Sequence, residues 1–407
     1  MSKLSKFLNS PSLFFRDAIA KRLEKNAFLP QKSKKKDLIF KSYQFNTFVS
    51  YTHLLYSGEG LNGVSHLDLW IPHFLKAEIS FLVLVRNNDL FEILQKKYPQ
   101  VTVLFAKGEK EVESFLKQLP FLQACFYPSN VGSNLHLLKF NMLKHIFIGH
   151  GDSDKTASAH KYFRVYDENW VAGEAHIDRF KNEGFDCSGL QQIKVGRPNL
   201  KETLQVAQKP WQTRFKGKIN LLYLSTWEGV YKEQNYTSIY FINKFFGNTF
   251  LLSRFNEVAI KLHPWVGKRD ISLLKIKDEI DKTLKEQDVD YKIHDKTMPV
   301  EDLIKGANLF ICDISAVISE SLAANAPIFV YVPDDKEIKL TKSKMSYEDY
   351  TYIYSSVDEL LEKIEDVIIN NNDYLADNRE KAMEYILGKD ETLNDVFITH
   401  LENIKVS

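Results

Sequence analysis

The chain has 407 residues, of which 44% are hydrophobic and 26% charged, so it is long enough for two globular domains and is neither disordered nor fibrous in composition. Its 54 Lys and Arg residues balance 53 Asp and Glu residues, which gives no general reason to expect a nucleic acid partner. Three cysteines without a CxxC pair exclude a zinc knuckle or disulfide framework and favour a reducing cytoplasm.

The first 36 residues form a segment of their own. Ser10 and Pro11 provide a cap and a first-turn proline, and apolar residues then recur at helical spacing between basic ones, which predicts a basic amphipathic helix. A second basic cluster follows at 32–36. This segment would either lie on an anionic membrane surface or dock on its own domain, and the pattern leaves both open.

From residue 37 onward, short apolar runs alternate with helix-compatible segments. We predict strands at 80–87, 101–106, 124–129, 144–149, 169–173 and 191–196. This alternation indicates βαβ units around a parallel sheet, and we assign 37–205 to an N-terminal α/β domain.

A second series begins after Pro210, with strands predicted at 219–225, 257–263, 290–295, 308–313 and 327–332. The polar, proline-bounded stretch 198–218 marks the break between the series. We therefore assign 206–407 to a C-terminal α/β domain, with helices at about 355–405 closing it or crossing back to the first domain. The fold class is α/β, with two Rossmann-like domains facing a cleft.

The first candidate site follows the predicted strand 144–149, where His150 stands between Gly149 and Gly151. Ligands of open parallel sheets bind beyond the carboxyl ends of the strands, and an exposed histidine there could act as a general base because its ordinary pKa is near 6.5. Three charged residues follow: Asp152, Asp154 and Lys155. Either aspartate could fix the imidazole tautomer, and the lysine could meet a phosphate. The alternative is a turn histidine followed by solvated charges.

Three further stretches follow predicted strand ends in the second half. His263 stands before Pro264, where an imidazole could hydrogen-bond a phosphate, although His-Pro pairs are common. Asp313 and Ser315 precede a helix, where amides, hydroxyl and helix dipole would form an anion site suited to a diphosphate, or would only cap the helix.

Polar side chains complete this predicted donor site. Glu320, on the helix after Ser315, could reach a ribose or sugar hydroxyl. Thr226 and Glu228 follow another strand and are expected to face the cleft. Together the stretches suggest a nucleotide-activated donor bound by the C-terminal domain and a base supplied by the N-terminal one.

The order of these stretches resembles the CDP-glycerol glycerophosphotransferase family, the GT-B-like enzymes of teichoic acid and related capsule synthesis. The resemblance covers about residues 140–335 and rests on "GHGDSDK", "YDENWVAGEAHIDRF", "VGRPNL", "LLYLSTWEG", "KLHP" and "CDISAVISE". It implies that His150 deprotonates an acceptor hydroxyl, that His263 contacts the transferred phosphate, and that Asp313 and Ser315 bind the donor. It implies no metal and no cofactor beyond the nucleotide-activated substrate.

Two residues depart from the family pattern. Glu228 stands where the family commonly has an arginine, and Ala316 replaces its second serine. A carboxylate beside a diphosphate requires a compensating cation, for which Lys261, Lys268 or Arg269 is the candidate, or else a different donor such as a CMP-linked sugar.

Three hypotheses follow. The first is a glycerophosphotransferase acting on a capsule or teichoic-acid-like glycan, as a priming or single-addition enzyme. The second is a GT-B glycosyltransferase that uses a CMP- or UDP-sugar, and the third is an inactive scaffold, in which His150→Ala would leave function intact. We expect a cytoplasmic protein, or one peripheral on the inner face of the membrane through 1–36. Its partners would be the donor and a glycan or lipid-linked saccharide acceptor, not nucleic acid.

Overall fold

Two parallel sheets organise the chain. The computed structural model describes residues 51–151, 159–229, 235–295, 298–334 and 343–404, which belong to one compact unit beginning at Tyr51. The basic helix predicted within 1–36 lies outside the described residues, so that prediction stays untested.

The first sheet has seven strands in the order β3-β2-β1-β4-β5-β6-β7, and the second has six in the order β10-β9-β8-β11-β12-β13. The strands of the first sheet are β1 His53–Ser57, β2 Phe81–Val85, β3 Val103–Phe105, β4 Ala124–Tyr127, β5 Lys144–Phe147, β6 Glu168–Val171 and β7 Gln191–Lys194. Those of the second are β8 Ile219–Leu224, β9 Phe255–Lys261, β10 Asp290–His294, β11 Leu309–Asp313, β12 Ile328–Tyr331 and β13 Tyr352–Tyr354.

Helices connect the strands and cover the sheets. In the first half these are α1 Gly63–Lys76, α2 Asn88–Lys97, α3 Glu109–Leu116, α4 Leu135–Leu138, α5 Glu174–Asn182 and α6 Lys201–Val206. In the second half they are α7 Ile242–Phe246, α8 Thr249–Leu252, α9 Ile276–Lys285, α10 Val300–Lys305, α11 Val317–Leu322, α12 Tyr347–Tyr350 and α13 Val357–Ile368. The chain continues into α14 Ala376–Leu387, α15 Lys389–Leu393 and α16 Val396–Glu402.

The strand order places a topological switch point in each sheet. In the first sheet β1 lies between β2 and β4, and in the second β8 lies between β9 and β11, with every pairing parallel. The neighbouring strands β1 and β4 lead to next strands on opposite sides, β2 and β5, and β8 and β11 likewise lead to β9 and β12. Where such connections diverge, a crevice opens at the carboxyl ends of the strands. The candidate site residues follow β5, β8, β9 and β11 at these carboxyl ends.

The central strands are apolar on both faces because helices cover both sides of each sheet. Every residue of β11 is buried, including Asp313, and so are Leu82 to Val85 of β2. The strands therefore appear in the sequence as continuous apolar runs, which is why their positions are predictable.

The last helix returns to the first sheet. Phe397 of α16 packs its ring 4.8 Å from that of Trp70 and 5.5 Å from that of Trp170, both in the first half. The carbonyl of Leu401 lies 2.9 Å from Nε2 of the buried His53. Both alternatives left open by the sequence therefore occur: α13 packs into the core of the second half, and the last helix crosses back to the first half.

The prediction of two Rossmann-like α/β halves is confirmed. All eleven predicted strands are present at their expected places, while β1 and β13 were not predicted. None of the helices in the described part of the chain has the length and apolar character needed to cross a membrane.

Candidate active site

The turn after β5 is held by a helix of the same half. Gly149 adopts a φ of +64°, in the left-handed region that favours glycine. Its carbonyl accepts a hydrogen bond of 2.6 Å from Nε1 of Trp70, which is buried in α1. The Gly149 amide also donates to the carbonyl of Tyr127 at 3.3 Å, so the backbone just before His150 is held by α1 and β4.

A backbone carbonyl fixes the tautomer of His150. Nδ1 of this imidazole lies 2.8 Å from the carbonyl oxygen of Pro128, which follows β4. Because a carbonyl can only accept, Nδ1 must carry the proton, and the neutral ring keeps its lone pair on Nε2. The atom that would abstract a proton is thus Nε2.

The neighbours of His150 keep its ring neutral. Desolvation, with the nearby His66 and Arg197, lowers the pKa of His150 to about 4 against the opposing effects of Pro128 and Glu59. The residue nevertheless retains exposed surface. These observations are compatible because a stacked ring displaces water from one face without covering the whole side chain, so the downward direction follows from the packing.

The turns of the two sheets meet in the crevice. A methyl group placed on Gly151 would lie 3.4 Å from the Cβ atom of Ala316, which precedes α11. The hydroxyl of Ser315 donates to the carbonyl of Asp313 at 3.2 Å, and α11 has no side-chain cap. The structure thus brings the His150 turn beside the Ser315 turn.

Asp313 organises the loops from within. One carboxylate oxygen accepts hydrogen bonds from the Thr226 amide and the Thr237 hydroxyl, each 2.8 Å long. The other accepts from the amide and hydroxyl of Ser238 at 3.0 and 2.6 Å. Burial raises the pKa of Asp313 to about 6 against these bonds. The carboxylate is fully buried and joins three loops, so it does not fit the expected direct contact with a donor.

Glu228 was expected to face the cleft and is instead fully buried. Its Oε1 atom accepts hydrogen bonds of 3.0 Å from the amides of Gly267 and Asp270, which shape the loop after His263. Thr226 is also buried, and its amide is bound to Asp313. Neither side chain therefore extends from the strand end as predicted, because the loop folds inward over its polar groups.

His263 has the opposite tautomer to His150. Its Nδ1 accepts a hydrogen bond of 3.1 Å from the Trp265 amide, so the neutral ring carries its proton on Nε2. Its own amide donates to the hydroxyl of Ser225 at the end of β8, at 3.2 Å. The ring stacks with that of Trp227 at 6.2 Å and 20°. His263 can thus donate a hydrogen bond through Nε2.

Two of the three cations proposed to compensate for Glu228, Lys261 and Lys268, have other contacts. Lys261 donates to the carbonyls of Asp295 and Met298, and burial lowers its pKa. The ammonium of Lys268 lies 4.6 Å from the ring centre of Trp265. Lys261 therefore closes a loop and does not fit a role in the crevice.

Glu320 and Arg197 are ionisable groups at the junction of the two halves that act on the candidate site. Burial, with a smaller effect of Glu301, raises the pKa of Glu320 to about 8 against the opposing effect of Arg197. Arg197 also lowers the pKa of His150, so it lies within electrostatic reach of residues from both sheets. Its amide donates 2.7 Å to the hydroxyl of Thr392, and the side chain is largely buried.

Three predicted site residues cannot be placed. Asp152, Asp154 and Lys155 lie outside the described residues. Their predicted roles stay predictions, although the carbonyl of Pro128 already fixes the tautomer that either aspartate was expected to set.

Solved structures share this architecture. The wall teichoic acid polymerase TagF matches with a TM-score of 0.55 at 14% identity, over 95% of this chain and 96% of that one. UDP-GlcNAc 2-epimerase from Neisseria meningitidis bound to UDP-GlcNAc matches at 0.57 and 11%, over 86% and 100%. The chain has a GT-B fold. HepE of Anabaena in complex with UDP and glucose also has this GT-B fold, with a TM-score of 0.51 and 12% identity over 86% and 99%.

The resemblance to the glycerophosphotransferase family is confirmed at the level of the GT-B fold by TagF. No protein-family model matches the chain, and no curated protein matches it by sequence.

Sequence reasoning missed Glu59, His66 and Arg197. Arg197 lies inside "VGRPNL", a stretch that entered the sequence analysis only through the family resemblance. Glu59 and His66 follow the unpredicted strand β1, where the glycine-rich "SGEGLNG" leading into an apolar helix is the signal that marks another strand end.

Proposed function

We propose that the chain is a transferase that moves glycerol phosphate, or a related alditol phosphate, from a CDP-activated donor to a hydroxyl of a capsule or teichoic-acid-like glycan. The observation that carries this proposal is the opposite protonation of two imidazoles at strand ends. His150 presents a lone pair on Nε2, and His263 presents a proton on Nε2. One group accepts a proton from an attacking hydroxyl and the other donates to a phosphoryl oxygen.

The reaction follows from these two atoms. Nε2 of His150 takes the proton of the acceptor hydroxyl as its oxygen bonds to the β-phosphorus of the donor. The bond from that phosphorus to the bridging oxygen breaks, and CMP leaves with the electron pair. A hydrogen bond from His263 to a nonbridging oxygen stabilises the charge in the transition state. Positioning and charge stabilisation supply most of the rate in such transfers.

The low pKa of His150 suits a base that must remain unprotonated at neutral pH. A pKa of about 4 leaves the ring almost wholly neutral at pH 7 but makes it a weak base. A bound diphosphate would raise this pKa because a negative charge stabilises the imidazolium. Donor binding would thereby strengthen the base.

The inward position of Glu228 supports a diphosphate donor. The main objection to such a donor was a carboxylate in place of the family's arginine. Since Glu228 is buried and binds two backbone amides, its side chain does not extend into the crevice. Arg197 contributes positive charge near His150 and Glu320. TagF, which has the same fold and of which one structure was soaked with CDPG, supports this donor class.

A nucleotide sugar is the alternative donor, favoured by Glu320. With a pKa raised to about 8, this carboxyl is largely protonated at pH 7 and can both donate and accept hydrogen bonds. Such a group suits hydroxyl pairs of a ribose or a sugar. HepE in complex with UDP and glucose shows the same fold with such ligands.

A donor panel separates the two proposals. Purified protein is incubated with CDP-glycerol, CDP-ribitol, CMP-sialic acid, CMP-Kdo and UDP-sugars, with and without glycan acceptors, and release of CMP or UDP is measured. We expect CMP release from a CDP-alcohol, with a loss of about 10² to 10⁴-fold in His150→Ala and a loss in His263→Ala. His400→Ala is the matched control, because His400 lies on α16, where its described contacts are a hydrogen bond with a backbone carbonyl and an edge contact with the ring of Trp170.

Release from a nucleotide sugar alone would replace the phosphotransferase by the glycosyltransferase. An unchanged rate in His150→Ala would refute the base. Silence with every donor and acceptor would favour a scaffold. We further propose action at the inner face of the membrane through residues 1–36, as a priming step on a lipid-linked acceptor; binding of the full chain to anionic vesicles tests this part.

A further inference from the structure

A second imidazole lies flat against His150. The ring of His66 is 3.6 Å from it, centre to centre, at an interplanar angle of 13°. The Oε2 atom of Glu59 lies 2.8 Å from Nδ1 of His66. Because a carboxylate can only accept, this nitrogen must carry a proton, and the two groups form a defined hydrogen bond. None of the motifs identified in the sequence includes this pair.

One helix face contacts both residues of the His150 turn. His66 and Trp70 are four residues apart in α1 and therefore share a face. The indole of Trp70 binds the carbonyl of Gly149, while the imidazole of His66 covers the ring of His150. The helix thus sets the backbone of the turn and the plane of the side chain together.

A close contact places Glu59 beside His66. A Cβ atom on Gly63 would lie 2.9 Å from the Ser57 hydroxyl oxygen and 3.3 Å from Cβ of Glu59. A side chain at the start of α1 would push the turn after β1 away from the helix. The glycine therefore allows the carboxylate to reach an imidazole one turn further along α1.

We propose that Glu59 and His66 are positioning residues for His150: the carboxylate fixes the ring of His66, which holds the imidazole of His150 against rotation with Nε2 directed to substrate. Two contacts then define the ring of His150, the Pro128 carbonyl at its edge and His66 on its face. Rotation of the ring would break both. This inference rests on the proposed role of His150 as base and extends it.

The ionisable groups around the stacked rings shift the pKa values of Glu59 and His150 in known directions. Burial opposes ionisation of Glu59, but its interactions with His66, Ser129 and His150 together outweigh burial and lower the pKa of Glu59. The charged groups that act on His150 are His66 and Arg197, which disfavour a proton on it, and Glu59, which favours one. Two stacked imidazoles resist carrying two positive charges, so the position of His66 disfavours protonation of His150.

The test measures the titration of His150 directly by NMR of the full chain with ¹³C-labelled histidine. The His150→Asn variant assigns its signal. His66→Phe preserves a stacked ring and removes the imidazole that lowers the pKa of His150, so we expect the pKa of His150 to rise by about one pH unit. His66→Ala removes both, and Glu59→Ala releases the His66 ring. In these two variants the pKa should move further toward the ordinary value near 6.5.

Controls separate positioning from loss of fold. His400→Phe should leave the His150 titration unchanged. Glu59→Gln retains an acceptor for His66 and should keep the stack, so that the pKa of His150 does not rise. Urea unfolding of each variant shows whether the fold is intact. An unchanged titration of His150 in folded His66→Ala and Glu59→Ala would overturn the proposal, as would an equal rise in Glu59→Gln and Glu59→Ala.

Activity gives the second readout. With an active donor, kcat should fall at least about tenfold in Glu59→Ala and His66→Ala with little change in KM, and Glu59→Gln should recover most of it. If no donor is turned over while the titrations shift as expected, the proposed reaction fails and the positioning role stands. If turnover depends on His150 but the pKa of His150 does not change in the His66 and Glu59 variants, the proposed reaction stands and the positioning role fails.

Discussion

Replacing Glu320 by Gln should remove a pH dependence from the stability of the protein. Its pKa is raised from 4.5 to about 8, first by burial and then by Glu301. Between these values the folded state keeps a proton that the unfolded state has lost. The free energy of unfolding therefore falls as pH rises through this window, by at most about 1.4 kcal/mol per pH unit.

The neutral amide of Glu320→Gln resembles the protonated carboxyl and should not show this loss. The full window corresponds to about 5 kcal/mol, and solvent near the half-buried side chain screens part of it, so we expect the variant to gain roughly 2 to 3 kcal/mol over wild type at pH 8 and almost nothing at pH 4.5. The unfolding free energy is therefore compared with pH as a difference, variant minus wild type. This difference removes the contributions of Asp313, whose pKa is also raised, and of His150, whose pKa is lowered, because both titrate in both proteins.

Urea unfolding followed by circular dichroism from pH 4.5 to 8.5 gives the difference curve. Glu362→Gln, which changes an exposed carboxylate on α13, is the control and should give a flat difference. A flat curve for Glu320→Gln would mean that this carboxyl ionises normally. The proposal that it offers a proton to a donor hydroxyl would then fall with it.

Two further predictions concern side chains inside the fold. Phe397→Ala should lower the free energy of unfolding in urea by about 3 to 5 kcal/mol, because Phe397 is 1% exposed and packs against Trp70 and Trp170. Phe397→Leu should lower it much less. A loss below about 1 kcal/mol in the alanine variant would show that α16 is not part of the core of the first half. Glu228→Gln keeps the oxygen that binds Gly267 and Asp270 and should change the unfolding free energy by less than about 1 kcal/mol, whereas Glu228→Ala leaves two amides without it and should cost about 2 to 4 kcal/mol. A large loss of donor affinity in a stable Glu228→Gln variant would instead place this carboxyl in contact with substrate.

The sheets were predictable because most strands are continuous apolar runs covered on both faces. The exceptions show the limit of that signal. Strand β1 has only three apolar residues, and its end residues His53 and Ser57 are polar although they are buried. Strand β13 is only three residues long. Because β1 was not predicted, the turn after it, which carries Glu59, was not recognised as part of the candidate site.

The candidate site was predictable in position but not in orientation. His150 and His263 occur at strand ends as expected, yet their tautomers depend on the Pro128 carbonyl and the Trp265 amide, which no sequence pattern reveals. Glu228 follows β8 and Asp313 ends β11, but both side chains turn inward: Glu228 binds backbone amides, and Asp313 binds backbone amides and hydroxyls. A polar residue at a strand end therefore indicates where a loop begins and not which way its side chain lies.

The return of α16 to the first sheet has a consequence for synthesis on the ribosome. Strands β1 to β7 end at Lys194, but the aromatic core around Trp70 stays incomplete until Phe397 has emerged, some two hundred residues later. During that interval the nascent first half exposes apolar surface that the finished protein covers. The second half can complete its sheet at Tyr354. The half made first would thus be the last to mature, and chaperone binding to stalled chains that end before residue 396 should exceed binding to chains that include α16.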